Sequence, residues 1–303
     1  MQIVSNSAKP KISIAHAYGL IAATVLTWAI GIVIARAVHQ EIPPIGLSFW
    51  RWIIAALILF PFVWNVIREN IKLIMENLGY YWIQGIFMTG GGLLLFVAVN
   101  FTTAINVALA NATQPTLTVL IAWIFIRDEI KGIQLFGIAS ALTGVAVMVT
   151  KADLGVLVSL DFNFGDFITV LATIFYSLYA INLRKMPQGI GVFPALFVIL
   201  VMGSITLLPF YIAETLFIRP TPFSPKLVIV VFVLALLVSI LSLAMWNTGN
   251  ARVGHNRAAI FVNLMPVYSS ALAIYFLDER LYFFHIIGAL FVCAGIFMVV
   301  RTD

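Results

Sequence analysis

One arginine, Arg51, stands inside a long apolar run, about seven residues or roughly 10 Å from the nearer end of that run by helical rise. A charge there is costly and marks a functional position. Its planar guanidinium can hold a carboxylate bidentately, although from that depth it can also snorkel to headgroups. Two apolar runs carry a proline about eleven residues in, Pro115 and Pro266. Proline cannot donate to the carbonyl four residues earlier, so the carbonyls of Asn111 and Val262 are predicted to come free near mid-helix. Asn111 with Thr118, and Asn263 with Ser270, are each seven residues apart and predicted to share one stripe, with Gln114 beside the first. Such stripes either face a polar cavity or hold helices together, at ~0.6 kcal/mol per bond on average.

Aromatic residues extend this set. Thr24, Trp28 and Gly31 share one helical face, while Thr169, Thr173, Tyr176 and Tyr179 occupy neighbouring positions on another helix. Trp and Tyr can stack on a flat or cationic ligand and donate a hydrogen bond. Tyr80, Tyr81, Trp82 and Tyr282 fit a membrane-interface belt instead. Trp246 and Asn247 are candidates for an inner gate. Asp128 and Glu279 lie near run ends, where they are expected to cap helices or lock gates by pairing with arginines. Arg257 is expected to anchor to lipid phosphate or cap a loop. None of the 12 acids falls in the middle third of a run, and His16, His39, His255 and His285 all lie in loops or near run ends. With no midplane proton carrier, facilitated diffusion or exchange suits the inventory better than tight proton coupling.

The chemistry that is missing also decides. The single Cys293 and four histidines rule out a thiolate metal site, and there is no HExxH, no paired midplane acid and no nucleophile beside a histidine. An intramembrane enzyme is therefore a distant alternative, and neither cofactor nor metal is implied.

The elements that must position these residues are membrane helices. Of 303 residues, 62% are hydrophobic and only 10% charged, against about 25% charged in soluble domains. That excludes a soluble enzyme or a nucleic-acid binder, and the net charge of +5 is spread between apolar runs. Those runs fall near 17–36, 44–64, 79–99, 104–126, 132–150, 164–183, 193–213, 226–247, 257–277 and 282–300. They predict an all-α membrane protein of ten transmembrane helices. Residues 1–16 read as a short cytoplasmic tail without a signal peptide. With that tail inside, eleven basic residues face the cytoplasm and five face outward, so both termini are expected in the cytoplasm.

The chain also matches itself. An offset of 151 pairs Pro115 with Pro266, Asp128 with Glu279, Gly137 with Gly288 and Gly144 with Gly295; an offset of 148 pairs Trp28 with Tyr176. Five spans per unit is an odd number, so the copies must be inverted, as in secondary transporters. The units are 17–150 and 164–301, joined by a linker at 151–163. Glycines 90–92 and the pairs Gly137 with Gly144 and Gly288 with Gly295 are read as helix-packing positions.

The stretches TTAINVALANATQPTLTVLIAWIFIRDE and WNTGNARVGHNRAAIFVNLMPVYSSALAIYFLDERL, with FWRWIIAA and HIIGALFVCAG, resemble the EamA-type permeases of the drug/metabolite transporter superfamily. Asp128 stands where that family usually has glutamate. The resemblance implies a ten-helix inner-membrane transporter, a monomer or homodimer in the lipid bilayer, with a central cavity between its halves. It often implies export of amino acids or related metabolites by alternating access. Uptake by the same fold, or a facilitative channel, are the alternatives.

Overall fold

The computed structural model describes residues 13–126, 132–153, 163–253, 261–262 and 264–300. The described residues are helical throughout their regular structure, with no strand among them. The order is α1 Ile14–Val38, α2 Pro44–Glu69, α3 Ile71–Glu76, α4 Leu78–Ala98, α5 Ala104–Asn111, α6 Gln114–Ile126, α7 Gly132–Val149, α8 Phe164–Asn182, α9 Val192–Phe217, α10 Pro225–Val233, a π-helical stretch Leu234–Leu241, α11 Ser242–Val253, α12 Leu264–Leu277 and α13 Phe283–Val300.

Local sequence explains where these helices start. Ser13, Thr103, Asn163 and Ser224 each accept a hydrogen bond from a backbone amide of the first turn that follows. Pro44 and Pro225 occupy first-turn positions, where the missing N–H costs nothing. Pro61 and Pro209 lie inside α2 and α9 without ending them. The bundle is apolar outside, with Phe62 and Phe217 at 80% and 83% exposure, while Thr24, Arg51, Gln84, Thr169, Thr173 and Ser177 are buried. That arrangement suits lipid, which offers polar groups no partner.

Among the described residues six helical segments are long and apolar enough to cross a membrane: α1, α2, α4, α8, α9 and the run Pro225–Asn250. The α5–α6 pair makes a seventh if it is one bent span, and Gly132–Met148, Leu264–Leu277 and Phe283–Gly295 are shorter apolar helices. The chain is therefore a multi-pass helical membrane protein. Helix α4 packs on α8 and α9, α9 also packs on α2, α1 lies against α11 and α12, α6 lies on α8, and α7 pairs with α13.

The run 104–126, expected as one span with a helix break at Pro115, is bent. Helix α5 ends at Asn111, Ala112 and Thr113 form a turn, and α6 departs at 43° with Pro115 as its second residue.

Candidate functional site

Arg51 lies on the second turn of α2 and is 3% exposed. Its guanidinium carbon sits 3.8 Å from the centre of the Trp52 ring and 4.4 Å from that of Phe96 on α4. Both contacts are cation–π stacks that solvate the charge in part. Nε and Nη2 have no hydrogen-bond partner, and no acidic side chain pairs with the group among the described residues. The Trp52 indole N–H and the Ser48 hydroxyl are also buried without partners. Tyr176 of α8 brings its hydroxyl to the same place: a Cβ at Gly92 would lie within 3.2 Å of it and 2.6 Å of Arg51 Nη2. Phe96, Trp28, Tyr176 and Met265 belong to one packing cluster.

The break after α5 forms a second set of polar groups. Asn111 is buried, its amide NH2 lies 3.6 Å from the Met265 sulfur of α12, and its carbonyl oxygen Oδ1 has no partner. Gln114, half-buried, opens α6, and its backbone carbonyl accepts from the Ser177 and Thr118 hydroxyls. The predicted Asn111–Thr118 stripe does not form. Its heptad spacing assumes one helix, and the turn at 112–113 puts the two residues on different axes. Thr118 spends its hydroxyl on its own helix, whereas Thr116 is fully buried with its hydroxyl unpartnered. In the second half Asn263 lies outside the described residues and Ser270 is half-buried, while the neighbouring Ser269 carries the buried, unpartnered hydroxyl. The Val262 carbonyl, expected free beneath Pro266, accepts from the Met265 amide at 2.9 Å, because Pro266 is only the third residue of α12 and a turn closes below it.

Trp28 meets Trp246 at 5.3 Å between ring centres, and the Asn247 amide nitrogen beside it is buried without a partner. Tyr179, one turn on from Tyr176, packs with Tyr80 and Tyr81, and its backbone carbonyl accepts from Gln84. Tyr81, expected in the interfacial belt, is fully buried instead, because α9 packs over that face of α4. The hydroxyls of Thr24, Thr169 and Thr173 each return to the carbonyl four residues back.

At one end of the bundle, carboxylates close the helix starts. Glu279, just after α12, accepts from the amides of Ala104 and Ile105 at 2.9 and 3.2 Å, capping α5, and pairs with Arg36 of α1 at 3.6 Å. Its repeat mate Asp128 lies outside the described residues. Glu214 caps α2 in the same way through Ile45 and Gly46, at 3.1 and 2.7 Å. Asp166, at the start of α8, accepts from Thr102 at 2.6 Å and from the Asn106 amide at 3.2 Å. The Asn106 oxygen lies 2.9 Å from His285 Nε2, and His285 Nδ1 accepts from the Tyr282 amide. That second bond leaves the proton of a neutral imidazole on Nε2, donating to Asn106. Among the described residues no cluster of His, Cys, Asp and Glu could hold a metal ion.

The described helices thus enclose a polar interior with a buried arginine behind an apolar exterior. The chain belongs to the EamA-like transporter family, whose description matches twice, over residues 16–150 and 163–301. It is 25% identical over 285 residues to an uncharacterized transporter of Archaeoglobus fulgidus, covering 92% of this chain and 95% of that one. A probable amino-acid metabolite efflux pump of Escherichia coli is 25% identical over 284 residues, covering 90% and 91%. The aromatic amino acid exporter YddG of Escherichia coli is 25% identical over 287 residues, covering 91% and 93%. One solved crystal structure shares the fold with a TM-score of 0.62 at 15% identity, over 96% of this chain and 98% of that one.

Proposed function

We propose that the protein exports a small amphipathic carboxylate, an amino acid first, across the inner membrane by alternating access. On this reading ten spans form two inverted five-helix units, 17–150 and 164–301, with both termini in the cytoplasm and the substrate cavity between the units. The observation that carries it is Arg51. Keeping an ion this buried costs several kcal/mol. Aromatic faces repay part of that, and the unpartnered Nε and Nη2 are left for an anion that comes and goes. The similarity to a probable amino-acid metabolite efflux pump and to an aromatic amino acid exporter supports the substrate class and direction.

The glycine contacts support the inverted arrangement. A Cβ at Gly144 would meet the Gly288 carbonyl at 2.6 Å, and one at Gly295 would meet the Gly137 carbonyl at 2.5 Å. Gly288 is the repeat mate of Gly137 and Gly295 that of Gly144, so each position touches the other's mate across antiparallel helices. Reciprocal contact of this kind is the mark of a two-fold axis, and antiparallel helices require that axis to lie perpendicular to them. Helix packing agrees: α1 lies on α11 and α12 of the other unit, and α8 lies on α4 and α6. On this topology Glu279 and Arg36 close the outer gate, Trp246 and Asn247 stand toward the inner one, and Pro115 and Pro266 border the cavity.

The test is metabolite profiling of medium from bacteria expressing the intact protein or the variants Trp28→Ala, Arg51→Gln and Asn111→Ala. We expect an amino acid or close relative to accumulate outside only with the intact protein. Equal efflux from all three variants at matched membrane levels would overturn the site.

A further inference from the structure

We infer that His285 is a proton-operated latch: on taking a second proton from water it lets go of the start of α13 and releases the end of the bundle that Glu279 and Arg36 close. The hydrogen bonds leave that proton one place to go. Asp166, acceptor-only as a carboxylate, takes the Thr102 hydroxyl at 2.6 Å and the Asn106 NH2 at 3.2 Å. Those bonds fix which way the Asn106 amide points, with its oxygen 2.9 Å from His285 Nε2. Nε2 therefore carries a hydrogen, and Nδ1 accepts from the Tyr282 amide at 3.0 Å. A second proton must land on Nδ1, where it would face the Tyr282 N–H, donor against donor. The latch depends on neither Arg51 nor the identity of the transported compound.

The bond that breaks is a helix cap. Tyr282 immediately precedes α13 and His285 is the third residue of that helix, with its own amide donating back to the Tyr282 carbonyl at 3.0 Å. In this reciprocal arrangement glutamate or glutamine usually fills the third position. Histidine can replace them only while neutral, and an imidazolium there would also oppose the positive end of the helix dipole. His285 is 3% exposed and lies against the Phe284 ring, at 4.2 Å between centres, so the closed bundle offers a new charge no water. The segment that the cap anchors, residues 278–282, carries Glu279, whose carboxylate holds Ala104 and Ile105 of α5 and pairs with Arg36. Helices α5, α6 and α7, which pack against α13, bring no titratable side chain. The titratable groups around the latch are Asp166 beyond Asn106, Lys151 and Asp153 following α7, the Glu279–Arg36 pair with His39 against Arg36, and Asp278, Arg280 and Tyr282 on the anchored segment itself.

Maleimide labelling of the purified full-length protein in detergent tests this, with Ile105→Cys, fully buried beside Asn106, in a Cys293→Ser parent. Rates at pH 7.5 and pH 5.5 are divided by those of the same protein unfolded in SDS, which removes the effect of pH on the thiol itself. The open state binds one proton more than the closed state, so falling pH favours it; with an ordinary histidine pKa of about 6.5 in the open state, the gain between the two pH values is about tenfold. We expect the corrected rate of the parent to rise by that factor. His285→Gln should abolish the rise, because its amide accepts from Tyr282 and donates to Asn106 without titrating, whereas His39→Gln should keep it. A parent rate that stays within about twofold, a rise that survives in His285→Gln, or its loss in His39→Gln overturns the inference. If His285→Gln fails to elute as a folded species, ring nitrogen NMR decides, on protein in which His16, His39 and His255 are replaced by glutamine and only His285 reports. At pH 7.5 the hydrogen must sit on Nε2 with Nδ1 bare, and conversion to imidazolium must follow the labelling rate; failure of either overturns the latch.

Discussion

Replacing Glu279 with alanine should open the end of the bundle that it caps. The carboxylate accepts two backbone hydrogen bonds at the start of α5, and its side chain is 8% exposed. Hydrogen bonds to a charged acceptor contribute about 1.5–3 kcal/mol each. The pair with Arg36, at 3.6 Å and 25% exposed on the arginine side, adds about 0–1 kcal/mol. Water can reach the freed amides once the cap is gone, so the lower end applies and the closed state loses about 3 kcal/mol, or ~100-fold in population. The reporter is Ile105→Cys, at a fully buried position, in a Cys293→Ser background that removes the exposed native thiol. Maleimide labels such a thiol only while the site is open, so when closing is fast the rate follows the open population. In detergent solution we expect the rate to rise about 100-fold in Glu279→Ala and about tenfold in Glu279→Gln, which keeps one acceptor oxygen. A rate within about twofold of the parent in Glu279→Ala would refute the idea that this carboxylate holds α5 in place.

Three further outcomes follow from the contacts described. Gly288→Leu should force α7 and α13 apart, because a Cβ there already crowds the Gly144 carbonyl at 2.9 Å; overpacking of about 1–3 kcal/mol should appear as a lower Tm and less protein in the membrane. Glu214→Ala should cost about 3 kcal/mol, seen as a Tm fall of roughly 5–10 °C, since it strips buried acceptors from Ile45 and Gly46. Lys226→Ala, which removes the half-exposed pair with Glu41, should leave Tm within about 1–2 °C, as exposed ion pairs contribute little.

Hydropathy made the membrane helices legible, because apolar length is a property of contiguous residues. The same logic failed at Asn111 and Thr118: periodicity carries a face only while one helix continues, and beyond the turn at 112–113 the buried, unpartnered hydroxyl is that of Thr116. Arg51 stands out in sequence simply as a lone base in an apolar run. Its cradle does not, since Phe96 and Gly92 come from another helix and only packing brings them to it. Trp52, adjacent in the chain, was the available hint. Tyr81 shows the opposite error: an aromatic near a span end suggests an interface, but α9 covers it. The bond from Asn106 to Asp166 and His285 joins residues 60 and 179 positions apart, and no local pattern predicts it.

The turn at Ala112–Thr113 has a mechanical consequence. Helix α5 is eight residues, a rigid rod of about 12 Å, pivoting on two residues that lie between regular helical hydrogen-bond ladders. Straightening the 43° bend would sweep the Ala104 end of that rod through about 9 Å while α6 stayed seated on α8. Its Ala104 end is held by the Glu279 carboxylate and, through Asn106, by Asp166 and His285, so the hold on the rod is concentrated at that end and the direction of any swing is set at the pivot.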